Sequence, residues 1–155
     1  MKRFLRGFVY AGRGIALCLR ERNFRFHLCA AAFVTWFALR FYELSRGEWA
    51  ALLLTFGAVL SAEAVNTALE RLCDRVCKDK DEFIGKCKDC AAGAVLLSAI
   101  AAVGVGIALF ADGERLSEVL GFFSGVWYRG AVLAIAIAAA VCFVLLPERG
   151  KQERK

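Results

Sequence analysis

Four long apolar blocks dominate the chain: His27 to Phe41, Trp49 to about Leu72, Ala91 to Ala111 and Trp127 to Leu146. The apolar residues gather into runs instead of recurring at the spacing of a soluble core. A single proline in 155 residues leaves few forced breaks, so each block is predicted to be a helix. A membrane span needs roughly 20 residues, which the first block lacks, so its helix is expected to begin earlier, near Asn23 and Phe24. Trp36, Trp49, Trp127, Tyr42 and Tyr128 include several block-end aromatics, as bilayer interfaces favour. Residues 2 to 20 follow another rhythm. At 100° per residue Arg6, Arg13 and Arg20 share one stripe and Phe4, Phe8, Ala11, Ile15 and Leu19 the opposite one, as in a helix lying in the membrane interface. The pattern predicts an all-α integral membrane protein, with an N-terminal amphipathic surface helix and four transmembrane helices.

Composition places the chain in the same solvent. It is 59% hydrophobic with a mean hydropathy of +0.54, whereas soluble domains hold about 45 to 50% apolar residues. The net charge of +6 could point to nucleic acid, but the basic residues lie where membrane topology would put them. Seven Lys and Arg precede His27, six lie from Arg71 to Lys88 and four follow Pro147, against two around each of the other two connections, Arg40 with Arg46 and Arg115 with Arg129. The positive-inside rule then makes both termini and the loop at 73–90 cytosolic. No secretory signal peptide is expected, since the early basic residues are not followed by an unbroken apolar stretch and a small-residue cleavage site.

The second block ends in residues that a bilayer resists. Counted from Trp49, Glu63 lies about 21 Å into the span and Glu70 about 31 Å. The spacing of Glu63, Asn66, Glu70 and Asp74 puts all four within about 80° on one helical face, with Thr67 beside them. A carboxylate at that depth costs several kcal/mol unless it meets a partner or a water-filled cavity, which makes it a candidate site. Lys88, Arg25 and a divalent metal are the candidate cations. Acids around a metal suit phosphoryl transfer, which is mostly positioning and charge neutralisation. Neither Gly-x4-Gly-Lys-Ser/Thr nor Gly-x-Gly-x-x-Gly is present. The alternative is ion pairing that only fixes helix packing, a purpose for which Asn66 would not be needed.

These residues carry a family resemblance. Glu63-Ala-Val-Asn66-Thr67-Ala-Leu-Glu70-Arg-Leu-Cys-Asp74 and Lys88-Asp89-Cys-Ala-Ala-Gly-Ala-Val95 resemble the two motifs of the prokaryotic diacylglycerol kinase family. Phe8-Val-Tyr-Ala-Gly-Arg-Gly14 and Glu21-Arg-Asn-Phe-Arg-Phe-His27 look like its Gram-positive branch, the undecaprenol kinases. The resemblance covers about residues 4 to 111, giving a kinase-like membrane domain over 1–111. Residues 112–155 would then add an external loop, an extra transmembrane helix and a basic cytosolic tail. It implies a homotrimeric kinase of the bacterial inner (cytoplasmic) membrane that uses ATP and Mg²⁺. It further implies Glu63 as proton acceptor with Asn66 in the site, Glu21 and Glu70 as metal ligands, and Lys88 and Asp89 on the nucleotide. Asp79, Lys80 and Asp81 stand in the loop where relatives carry a His-containing nucleotide-contact triplet. Asp74, Arg25 and His27 would support the site or meet the lipid. No nucleic acid partner is expected.

Seven cysteines remain. Cys73-x3-Cys77 with Cys87-x2-Cys90 could hold zinc or be reduced cytosolic thiols, whereas Cys18, Cys29 and Cys142 read as small packing residues. The leading expectation is phosphoryl transfer from ATP to undecaprenol, with diacylglycerol as the rival substrate. An ion-conducting bundle would need acids in the outer half of the second span, between Trp49 and Ala62, and there are none. A non-catalytic assembly subunit would use the small residues of the third span, such as Ala91, Gly93 and Ala94, for close helix contact. A trimeric enzyme would need them equally.

Overall fold

The computed structural model describes residues 2–77 and 81–147. They form six helices: α1 (Lys2–Cys18), α2 (Arg22–Phe41), α3 (Arg46–Val76), α4 (Glu82–Phe110), α5 (Gly113–Ser124) and α6 (Trp127–Leu145). No strand occurs among the described residues, and α2, α3, α4 and α6 are each long and apolar enough to cross a membrane. The chain is an all-α integral membrane protein, as its apolar blocks predict.

Helix boundaries follow local chemistry more than hydropathy. The Ser45 side chain accepts from the Glu48 amide and the Glu48 carboxylate from the Ser45 amide, a reciprocal cap that starts α3 three residues before Trp49. Asp81 accepts from the Ile84 amide at 3.0 Å and starts α4 at Glu82, so the third helix begins well before Ala91. The stretch after the third span is not merely a loop. Asp112 accepts from the amides of Glu114 and Arg115 and opens the short α5, which buries Val119. At the N-terminus α1 stops at Cys18 in a tight turn that leads straight to Arg22.

α3 packs chiefly along α4 and also meets α2, while α6 lies against α2 and α5. Side-chain contacts mark the two ends of the bundle. At one end the Tyr42 hydroxyl donates to the Phe110 carbonyl at 2.9 Å, and Phe41 meets Phe122 edge-on. At the other gather the start of α2, the end of α3, the start of α4 and the end of α6. Burial is inverted relative to a soluble protein. Leucines, isoleucines and phenylalanines lie exposed along every helix, whereas Arg25, Glu63, Asn66 and Thr67 are buried. The apolar surfaces suit hydrocarbon, and the protein interior shelters the polar groups.

Candidate functional site

Most of the predicted site residues meet at the second of these ends. α3 is one unbroken helix from Arg46 to Val76, so the acid stripe keeps its register. Glu63 is only 2% exposed and Asn66 5%, both on the face turned inward with Thr67. The Asn66 side-chain amide donates to Glu70 Oε1 at 3.0 Å, fixing that carboxylate one turn further on. The Asn66 carbonyl oxygen is buried with no hydrogen-bond partner among the described residues. Asn23, at the start of α2, hydrogen-bonds the Glu63 side chain, and both Glu21 and Glu70 are close enough to act on it electrostatically.

The cations distribute themselves in a way the sequence did not indicate. Arg71 donates to Glu21 Oε1 at 2.6 Å, joining α3 to the residue that caps α2. Lys88 donates to Asp74 Oδ1 at 2.5 Å across the α3–α4 pair and lies within electrostatic reach of Glu70. Among the described residues Glu63 and Glu70 have no basic side chain within ion-pair distance. Among the described residues the ion pairs of this cluster are Arg71 with Glu21 and Lys88 with Asp74.

Arg25 corrects the expectation that it faces these acids. It is 4% exposed and directs its guanidinium away, donating to the carbonyls of Val144 at 2.8 Å and Leu146 at 2.6 Å, the C-terminal end of α6. Bare carbonyls at a helix C-terminus attract a cation as a carboxylate does, and here they are the nearer group. His27 stands half-buried with its ring edge-on to Phe26. Asp89 is exposed on α4 and Asp81 is spent on its cap; Asp79 and Lys80 lie outside the described residues. The four cysteines of the zinc alternative do not assemble: no group of three or more His, Cys, Asp or Glu able to hold a metal occurs among the described residues. Cys18 is buried beside Arg71, Glu21 and Glu63, and burial pushes its thiol above the ordinary range.

Sequence reading missed Arg71 and Asn23. Arg71 sits inside the acid motif, next to Glu70, and a base there signals an internal counter-charge, but its partner is 50 residues away.

A family profile for prokaryotic diacylglycerol kinase matches residues 9–110, which hold every one of these groups. The chain belongs to the prokaryotic diacylglycerol kinase family. An undecaprenol kinase of Bacillus subtilis is 39% identical over 111 residues, covering 71% of this chain and 89% of that relative. A diacylglycerol kinase of Synechocystis is 43% identical over 102 residues, 64% of this chain, and the chain spans only 57% of that relative's length. No solved structure matches the sequence. As a member of this family the protein is a membrane-embedded lipid kinase, and α6 lies wholly beyond the family's matched region.

Proposed function

We propose that this diacylglycerol kinase family member transfers the γ-phosphoryl group of ATP to the hydroxyl of undecaprenol, giving undecaprenyl phosphate, at the cytosolic face of the bacterial cytoplasmic membrane. One observation carries the reading: a carboxylate, Glu63, buried inside a membrane-spanning helix with no basic partner among the described residues, beside Asn66 and Glu70 on the same face. Such a group is costly to keep and suited to take a proton.

In the reaction the lipid oxygen attacks the γ-phosphorus, the bond to the β–γ bridging oxygen breaks with ADP leaving, and the hydroxyl proton passes to Glu63. Asn66 holds Glu70 in place. Lys88, a compact point charge steadied by Asp74, would meet the nucleotide phosphates. Hard carboxylate oxygens with the open Asn66 carbonyl are a donor set that fits magnesium, and Glu70 and Glu21 are the residues that would hold it. Bound magnesium supplies charge neutralisation on the triphosphate. Glu21 would be shared between the ion and Arg71. We assign a homotrimeric assembly, for which the small residues at the start of the third span, Ala91 to Ala94, allow close approach.

The choice of undecaprenol rests on similarity to the Bacillus relative along most of that protein's length. The test is phosphotransfer from ATP in mixed micelles with undecaprenol and diacylglycerol offered separately, to the unaltered chain and to Glu63→Gln. Magnesium-dependent undecaprenyl phosphate is expected, reduced in the variant by the ~10² to 10⁴-fold typical of a lost general base. Equal turnover by Glu63→Gln removes Glu63 from the role, and a preference for diacylglycerol reassigns the substrate.

A further inference from the structure

We propose that the groove between α2, α5 and α6 binds an anionic membrane phospholipid, its phosphate held by Arg40 and Arg129 and one hydrocarbon chain lying along α6. The groove encloses about 780 Å³ and is walled by Phe33 and Trp36 of α2, Phe123 of α5, and Val132, Ala136 and Ala140 of α6. Small-molecule sites occupy roughly 300 to 1,000 Å³. Its α6 wall runs from Arg129 to Leu145, about 24 Å at the rise of a helix, which exceeds the roughly 15 Å depth of one leaflet's hydrocarbon. A lipid chain therefore fits lengthwise. Arg129 is the one charged residue in the wall.

The headgroup end decides the occupant. There the Phe122 ring carries two guanidiniums, with Arg40 Cζ 4.4 Å and Arg129 Cζ 4.2 Å from the ring centroid. Arg129 also donates to the Phe122 carbonyl at 3.1 Å. Among the described residues neither arginine is in an ion pair. Of the acids at α5, Glu118 pairs with Arg115, Asp112 caps the helix's own amides, and Glu114 at its first turn forms no ion pair with either arginine. Two cations sharing one ring repel each other, and the ring satisfies their faces but not their N–H edges. A phosphate at their N–H edges relieves the repulsion and matches the fork geometry of guanidinium donors. A neutral lipid could fill the apolar wall but would leave the arginine pair without an anion. Among the described residues no carboxylate lines the groove, and its α6 wall lies beyond the family's matched region, which sets it apart from the phosphoryl-transfer residues.

Trp36 in the wall supplies the probe. The full chain with Trp49→Phe and Trp127→Phe, leaving Trp36, is reconstituted in vesicles containing chain-brominated phosphatidylglycerol or, at equal mole fraction, chain-brominated phosphatidylcholine. Trp36 emission should be quenched about twofold or more in excess by the anionic lipid, the size expected when basic residues meet an anionic headgroup. Arg40→Gln with Arg129→Gln should bring the two lipids to parity. Arg40→Lys with Arg129→Lys should keep part of the preference, which separates charge at the pair from misfolding. Equal quenching in the unaltered pair, or a preference that survives the double glutamine variant, overturns the proposal. So does a Trp36 that neither lipid reaches, because the groove is then filled by another copy of the chain.

Discussion

Arg25 Nη2 and the Leu146 carbonyl lie 2.6 Å apart and tie the first turn of α2 to the end of α6. The same nitrogen reaches the Val144 carbonyl at 2.8 Å, and the Phe143 ring lies 5.8 Å from the guanidinium carbon. A helix C-terminus presents carbonyls with no partner in the helix, and in hydrocarbon no water replaces one. Arg25 is thus the latch for the helix that the rest of the family's matched region does not include. Arg25→Met should cost about 1.5 to 3 kcal/mol, the range for hydrogen bonds to a charged group. Deleting residues from 126 onward strands the buried guanidinium, so Arg25→Met should be less harmful in the truncated chain than in the full one. Unfolding in mixed detergent micelles gives all four stabilities; strict additivity would show that the latch does not act as one.

Asn66 spends its amide on Glu70 and leaves its carbonyl open. If Glu70 meets magnesium, Asn66→Ala loosens that ligand and takes away the open carbonyl beside it. Loss of such a supporting contact lowers metal affinity by about 10- to 100-fold. The magnesium concentration for half-maximal activity should therefore rise by that factor, with much of the turnover recovered at saturation. A variant slow at every magnesium concentration, with an unshifted midpoint, would detach Asn66 from the metal.

Lys88 and Asp74 differ in what their loss should do. Their ion pair is about a third exposed on each side, at 36% and 38%, and such pairs are worth about 1 kcal/mol or less. Asp74→Asn should thus raise the KM for ATP by no more than about fivefold, because it only frees Lys88 to wander. Lys88→Met removes the proposed phosphate contact itself and should raise that KM well beyond the Asp74→Asn effect. Steady-state kinetics with varied ATP separate the two; equal effects would mean that Lys88 matters only through Asp74.

The membrane fold was readable because a bilayer imposes length and polarity on every span; three blocks met both demands outright, and the first met them once its helix was extended back toward Asn23. Glu63, Asn66 and Glu70 stood out for the same reason, since charge inside an apolar run is expensive and its helical spacing is arithmetic. What the sequence concealed was choice of partner. Arg25, Arg71 and Lys88 all sit near acids along the chain, yet packing sends Arg25 to the α6 carbonyls and Arg71 to Glu21. No periodicity encodes such choices. Hydropathy also stops at the first charged residue, so it placed the start of α4 near Ala91 although Asp81 caps a helix that begins at Glu82. The short α5 was hidden likewise, its Asp112 cap and adjacent charges reading as loop.

Cys18 offers a reading of the site that needs no substrate. It lies outside the spans, buried where α1 turns toward α2, and is influenced by Arg71, Glu21 and Glu63 at once. Burial raises its pKa most, Arg71 pulls it back, and the two glutamates push it up again. Only the thiolate reacts with maleimide, so a raised pKa means a smaller reactive fraction at neutral pH. In a chain keeping Cys18 as its sole cysteine, labelling at pH 7.5 should be slower folded than unfolded in detergent. In the folded chain the rate should still be climbing at alkaline pH where the unfolded chain has levelled off. Arg71→Gln removes the lowering influence and should slow folded-state labelling further, whereas Glu21→Gln should quicken it. If the two substitutions shift the rate in the same direction, steric access controls Cys18 and the charges beside it do not.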